Sequence, residues 1–318
     1  MGKSRRGSNG GGDGGQPEPT PTPVEQSITD EQWQNAKTAE QLAELTGWEF
    51  TETQRGSYKF YDAEHDMTLF IDKTMLTNKF IDKNSTGNLT VNQDRFKGGI
   101  SQNLNDIVKA VYELPEDNKY GTPAIIFRNR FATNTLGSSG GYIDRFTSEL
   151  LNGHAVYINS SCFKNGDGHS IRRTLLHESY HSLDRMMSSG MTAYTQMGIS
   201  TKQSYHNAIK ADLEKNGLRS VSWNSSNPRY KKYGYIYYAE CWADAASVVK
   251  LKQMGYTNEK IRLPNKKIVT VDQWIDIFPE TYKATVQEIN HATRNNFQKP
   301  AEYNVIGNII TKNEKLNE

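Results

Sequence analysis

Ile171-Arg172-Arg173-Thr174-Leu175-Leu176-His177-Glu178-Ser179-Tyr180-His181-Ser182-Leu183-Asp184 is the stretch on which the reading of this chain turns. It reads as part of one helix running from Ile171 to about Met187, and it contains the H-E-x-x-H spacing at His177, Glu178 and His181. Positions four apart share a helix face, so the two imidazoles can reach one zinc ion from adjacent turns. Glu178 then projects beside the metal, where a carboxylate can take a proton from water. The bland alternative is a charged surface helix, but only 7 histidines occur in 318 residues, which makes two at this spacing around a glutamate a rare accident.

A catalytic zinc needs a third protein ligand and an open position. The extended metzincin pattern would place Gly at 184 and His at 187; the chain has Asp184 and Met187, so that class is rejected. Downstream, Glu240-Cys241-Trp242-Ala243-Asp244 falls on a second predicted helix, about Tyr237 to Lys252. Its i, i+4 spacing puts both carboxylates on one face, and Ala239, Ala243 and Ala246 allow close helix packing. Acids on an otherwise apolar helix are costly to bury unless paired or bound to metal. Glu240 is therefore the candidate third ligand of one zinc per chain, and Asp244 the outer carboxylate that accepts a hydrogen bond from a ligand histidine. Asp184, one turn beyond His181, either does similar work or balances local charge.

With these residues in place the chain resembles the gluzincin metallopeptidases, and within them the family that contains the anthrax lethal factor catalytic domain and the clostridial Pro-Pro endopeptidases. The resemblance covers roughly residues 100 to 295 and rests on His177 to Asp184, on Glu240 as the distant glutamate, and on Tyr233, seven residues before it. It implies a zincin-like α+β domain with an active-site helix, a second glutamate-bearing helix and a small mixed sheet. It further implies a zinc-dependent endopeptidase with Glu178 as general base and Tyr233 as oxyanion donor. Tyr235, Tyr237 and Tyr238 crowd the same segment, and the alternative for Tyr233 is one core aromatic among several. Ser179-Tyr180 departs from the small or apolar pair common inside the motif, so substrate preference is not carried over.

Outward from the motif, His154 to Asn159 reads as a strand, either an edge able to align an extended peptide or an internal core strand. Gly140 to Asp144 and Pro123 to Phe127 read as further strands, and Leu104, Ile107, Val108, Val111 and Tyr112 as an amphipathic helix. Upstream, Trp33, Ala36, Ala39, Leu42 and Leu45 recur at helical spacing, followed by short aromatic-rich strands at 48–53, 57–61 and 67–72. Residues 1–27 hold a glycine cluster and the alternating run Pro17-Glu18-Pro19-Thr20-Pro21-Thr22-Pro23, the composition of a disordered tether. The expected organisation is thus a tether at 1–27, a small α+β module at 28–95, the zincin-like domain at 96–300 and a polar tail at 301–318.

Composition narrows the partners. With 38 Lys plus Arg against 36 Asp plus Glu, the net charge of +2 is too balanced for non-specific nucleic-acid binding. The most apolar window, Tyr233 to Val249, is broken by Glu240 and Asp244, which excludes a membrane-spanning helix, and no signal peptide is visible after Met1-Gly2-Lys3-Ser4-Arg5-Arg6. The partner expected is a protein or peptide substrate; neither compartment nor oligomeric state is specified. Cys162 and Cys241 read as buried thiols rather than a disulfide framework. His65, His154, His169, His206 and His291 have no metal spacing, and Asn165-Gly166-Asp167-Gly168 lacks the calcium-loop pattern. Two other classes remain: a structural or attachment protein, for instance of a phage particle, with a degenerate zincin domain, and a protease effector or toxin delivered by a dedicated machine. The intact His177, Glu178, His181 and Glu240 favour activity.

Overall fold

A computed structural model of the chain describes residues 28–53, 56–76, 80–83, 89–92, 100–128, 137–140, 155–159, 170–186, 198–216, 234–263 and 267–294. The expected tether, the tail and Tyr233 lie outside the described residues.

Helix α1 (Asp30–Asn35) and helix α2 (Ala39–Thr46) open with the same device. The hydroxyls of Thr29 and Thr38 accept the backbone N–H three residues on, and the glutamines there, Gln32 and Gln41, accept the threonines' own N–H groups. The second box explains why the helical spacing from Trp33 to Leu45 does not build one continuous helix. Thr38 is committed to Gln41, and the chain restarts there.

Strands β1 (Glu49–Glu52), β2 (Ser57–Asp62) and β3 (Met67–Asp72) form an antiparallel meander. After short α3 (Lys73–Leu76) come β4 (Phe80–Lys83) and β5 (Leu89–Asn92), a separate two-stranded sheet. Helices α4 (Ile100–Tyr112) and α5 (Glu116–Tyr120) follow, and β6 (Ala124–Arg128) then joins β3 in parallel. Parallel neighbours need a crossover, which the segment carrying α4 supplies. β7 (Gly137–Gly140) and β8 (Ala155–Asn159) complete a six-stranded mixed sheet in the order β1-β2-β3-β6-β8-β7. β8 is parallel to β6, and β7 runs antiparallel along β8 at the outer position. The strand at 155–159 is therefore internal and buried along its whole length, and among the described residues the edge on this side belongs to β7.

Alternate residues of the central strands serve opposite faces. Leu69, Ile71, Ile125, Phe127, Val156 and Ile158 enter the large core beneath the helices, whereas Phe70, Ala124, Ile126, Ala155 and Tyr157 form a small cluster on the other side. There Lys59 lies over Phe70 and Arg128 over Tyr157, 5.7 and 4.2 Å from the ring centroids.

The expected division at 95/96 is not a division of packing. β3 finds its parallel partner in β6 across that point, and the apolar side of α4 (Leu104, Ile107, Val111) shares one core with Trp33, Leu42 and Trp48. Asn105 adds hydrogen bonds to the carbonyls of Trp33 and Ala36, 2.5 and 3.2 Å. A three-stranded meander with two short helices has too little apolar surface to close its own core, and the following segment completes it.

The rest of the chain is helical around α8. Helix α6 (Ile171–Met186) packs against the sheet; a 3₁₀ turn (Ile199–Thr201) and α7 (Gln203–Lys215) lead on to α8 (Gly234–Gln253). The β9–β10 hairpin (Lys260–Arg262, Ile268–Thr270), α9 (Val271–Ile277) and α10 (Pro279–Arg294) close the fold. Every residue of α8 from Cys241 to Val249 is buried, so this helix is covered on all sides. Burial pushes the Cys241 thiol well above its ordinary pKa, in keeping with an inert core cysteine; Cys162 lies outside the described residues. No helix among the described residues is long and apolar enough to cross a membrane.

Candidate metal centre

Core packing sets the rotation of α6 and α8. Leu175, Leu176, Tyr180 and Leu183 bury one side of α6. Trp242 of α8 meets Tyr180 edge to face, centroids 6.0 Å apart, and meets Tyr205 of α7 in the same way at 5.7 Å. Ala239, Ala243 and Ala246 keep α8 slim. Where α5 meets α6, a side chain on Gly121 would collide with Leu183, and Ser182 donates to the Gly121 carbonyl at 3.0 Å.

This packing brings the two i, i+4 pairs face to face. Nε2 of His177 and Nε2 of His181 lie 3.1 Å apart. Glu240 places Oε2 at 3.3 Å from His177 Nε2 and Oε1 at 3.6 Å from His181 Nε2. A tetrahedral ion with ligand bonds of about 2.0–2.2 Å holds its donors roughly 3.3–3.5 Å apart, so the spacing fits zinc. The chemistry of the donors agrees: His177 Nδ1 faces Asp244 Oδ1 at 2.9 Å, which leaves its Nε2 as the lone pair turned toward the other two groups. The side chains of His181, His177 and Glu240 are 7%, 17% and 32% accessible, so the cluster is reached from the Glu240 side.

The charged groups of the cluster act on one another. Burial works against charge on His177, yet the carboxylates of Asp244 and Glu240 outweigh it and raise its pKa to about 10. Burial likewise pushes Glu240 upward, and the two histidines overcome this to hold it well below the ordinary carboxylate range. The attraction between His177 and Glu240 contributes to both shifts, with Asp244 adding to that of His177 and His181 to that of Glu240.

Around this cluster, Asp244 is buried and Arg173 Nη2 donates to the same Oδ1 that serves His177, at 2.8 Å. Arg173 was not singled out by the sequence; its only signal is its place one turn before His177 on the same face. Asp184 does not hold a histidine. It accepts the backbone N–H and hydroxyl of Ser200, 3.1 and 2.5 Å, and so ties α6 to the 3₁₀ turn; burial raises its pKa while those bonds and His181 act the other way. Nδ1 of His181 has no hydrogen-bond partner among the described residues.

Glu178 is buried between α6 and the edge strand, beside Gly137 of β7. The polar pair inside the motif also has a structural basis. Ser179 accepts from Asn118 Nδ2 at 2.7 Å and donates to the Leu176 carbonyl, while Tyr180 is the ring that Trp242 abuts. Among the neighbours of Tyr233, Tyr238 stacks on His206, centroids 3.4 Å apart, which commits that ring to α7. His65 is buried between Asp62 and Glu116, at 2.6 and 2.5 Å, and takes no part in the centre. His154 and His169 lie outside the described residues.

Comparison with protein-family models, curated proteins and solved structures finds no match to this chain.

Proposed function

We propose that this protein is a zinc-dependent endopeptidase of zincin-like architecture, acting on a protein or peptide substrate. The observation that carries the reading is the convergence of His177, His181 and Glu240 from two helices, with Glu178 next to the first histidine and Asp244 behind it. His177, His181 and Glu240 would hold one zinc ion per chain. Bound zinc supplies Lewis acidity, which makes water a usable nucleophile near neutral pH and polarises a carbonyl. Glu178 accepts the proton of the attacking water and returns it to the leaving amine. Asp244 keeps His177 in the tautomer that presents Nε2. β7, with one side of its backbone unpaired among the described residues, offers main-chain groups to an extended peptide. The mixed sheet with an antiparallel outer strand beside the motif-bearing helix supports the zincin-like assignment.

The test is cleavage profiling with a peptide library, read by mass spectrometry, with metal analysis of the same preparation. Cleavage that needs zinc and disappears in Glu178→Ala is expected. A zinc-loaded protein that cuts nothing in a broad library would instead favour a binding role for the same fold.

A further inference from the structure

The edge strand contains a glycine whose backbone does not require one. Gly137 pairs with Ile158 across the β7–β8 ladder and lies outside the left-handed region that favours glycine. Alanine would ordinarily be preferred in such a strand, because glycine loses more conformational freedom on folding.

What excludes a side chain is the general base. A Cβ built on Gly137 would stand 2.7 Å from Cγ of Glu178, 3.1 Å from its Oε1 and 3.1 Å from the carbonyl oxygen of Tyr157. Non-bonded carbon atoms rest about 3.5–4.0 Å apart, so the Cγ approach is well inside contact distance. Cγ lies mid-way along the glutamate side chain, and moving it carries the carboxylate with it.

We propose, resting on the peptidase reading above, that Gly137 is a positioning residue. Its bare backbone forms the wall against which Glu178 packs, and this wall fixes where the carboxylate points. A glutamate at the surface of a helix samples several rotamers; a wall of backbone at Cγ removes those that would enter the strand. The device links the strand to the base directly, without passing through the metal ligands. It also accounts for the burial of both residues at the sheet's outer strand.

The test is Gly137→Ala in the full chain, compared with Glu178→Gln, with Glu178→Ala and with the Gly137→Ala, Glu178→Ala double variant. Activity is measured on a fluorogenic peptide chosen from the library digest, and zinc content and melting temperature are measured on the same samples. Gly137→Ala should keep its zinc, since the candidate ligands are His177, His181 and Glu240. Its KM should stay near that of the parent and its kcat should fall by about 10²-fold, the loss expected for a displacement near 1 Å of a reacting group.

The melting temperature supplies a second measurement. Gly137→Ala should lower it in the parent but not in a Glu178→Ala background, where Cγ and Oε1 are gone and the methyl has room. If Gly137→Ala alone fails to fold while the double variant folds, the collision with Glu178 is equally established. An equal loss of melting temperature in both backgrounds would place the collision at the Tyr157 carbonyl and overturn the proposal. Full kcat in Gly137→Ala beside an inactive Glu178→Gln would overturn it too, while leaving the peptidase reading in place. A fully active Glu178→Gln would remove that reading itself.

Discussion

Asp244→Asn separates two tasks that one oxygen performs. Oδ1 of Asp244 accepts from Arg173 Nη2 at 2.8 Å and from His177 Nδ1 at 2.9 Å, and all of this lies where Asp244 and Arg173 are 4% and 6% accessible. Asparagine keeps the shape but removes the charge, so Arg173 loses the counter-ion that compensates its burial. Breaking a buried pair from one side costs about 3–5 kcal/mol, a large part of the stability of an ordinary domain. The second task is measured on zinc. Loss of the carboxylate that orients a ligand histidine weakens metal binding about 10–100-fold, equivalent to about 1.4–2.7 kcal/mol. Arg173→Met is the partner variant: it unpairs Asp244 from the guanidinium but leaves the His177 hydrogen bond. It should therefore cost comparable stability while changing zinc affinity far less than Asp244→Asn. Denaturant unfolding of metal-free protein reads the first quantity, and competition with a chelator reads the second. Zinc affinity in Asp244→Asn equal to the parent's would refute the orienting role. Parental stability in Arg173→Met would show that the buried pair contributes nothing net.

Protein purified without added metal should contain about one zinc per chain, and a His177→Ala, His181→Ala double variant should contain almost none by elemental analysis. Glu178→Gln should retain zinc and lose about 10²- to 10⁴-fold in turnover. Tyr233→Phe should lose roughly 10²- to 10³-fold if its phenol donates to the oxyanion, whereas Tyr238→Phe, whose ring is stacked on His206, should turn over normally; single-variant kinetics decide between them. Away from the centre, burial works against ionisation of Glu116, but His65 and Lys119 outweigh it and hold its pKa below the ordinary 4.5. A depressed carboxylate contributes stability that is present in full above its unfolded pKa and is lost as pH falls through the lower folded value. Glu116→Gln should accordingly flatten the acid limb of the stability profile below about pH 4.5 and leave a smaller difference in shape at neutral pH, which pH-dependent thermal melts would show.

The parts of the fold legible in the sequence are those set by local chemistry. The strands at 57–62 and 67–72 and the helices carrying residues 177 and 240 follow from periodicity, and their ends lie within a few residues of the observed ones. The pairing of His177 with His181 is legible for the same reason, since i, i+4 spacing is a property of a helix by itself, and Glu240 stands out as an acid on an otherwise apolar helix. What escaped depends on long-range pairing. Nothing in Met67–Asp72 announces a parallel partner more than fifty residues away, so the expected boundary at 95/96 separates β3 from β6 although they share one ladder. Nor could the sequence tell which of two neighbouring strands is the edge. Gly137 to Gly140 has no strand-forming side chains to mark it, yet it is that segment and not 155–159 that lies outermost. Asp184 was read from its position on the helix, but its partner, Ser200, arrives from a later turn.

The same distinction explains why a small polar cluster rests on so much apolar packing. His177 must face both Glu240 and Asp244, which are one turn apart on α8, so it sits between them, while His181 faces Glu240 alone. A slide of α8 by one turn, about 5.4 Å, in the direction that carries Glu240 to the place of Asp244 would leave His181 with no carboxylate opposite. The buried Arg173–Asp244 hydrogen bond would also be broken by that slide. The register is held as well by apolar packing, with Trp242 lodged against Tyr180 and Tyr205 and a run of alanines that lets α6 approach. Trp242 lies between the two acids in sequence, and Tyr180 is next to His181. Each packing residue is thus covalently close to the candidate ligand it positions, so precision in the core becomes precision at the atoms proposed to bind the metal.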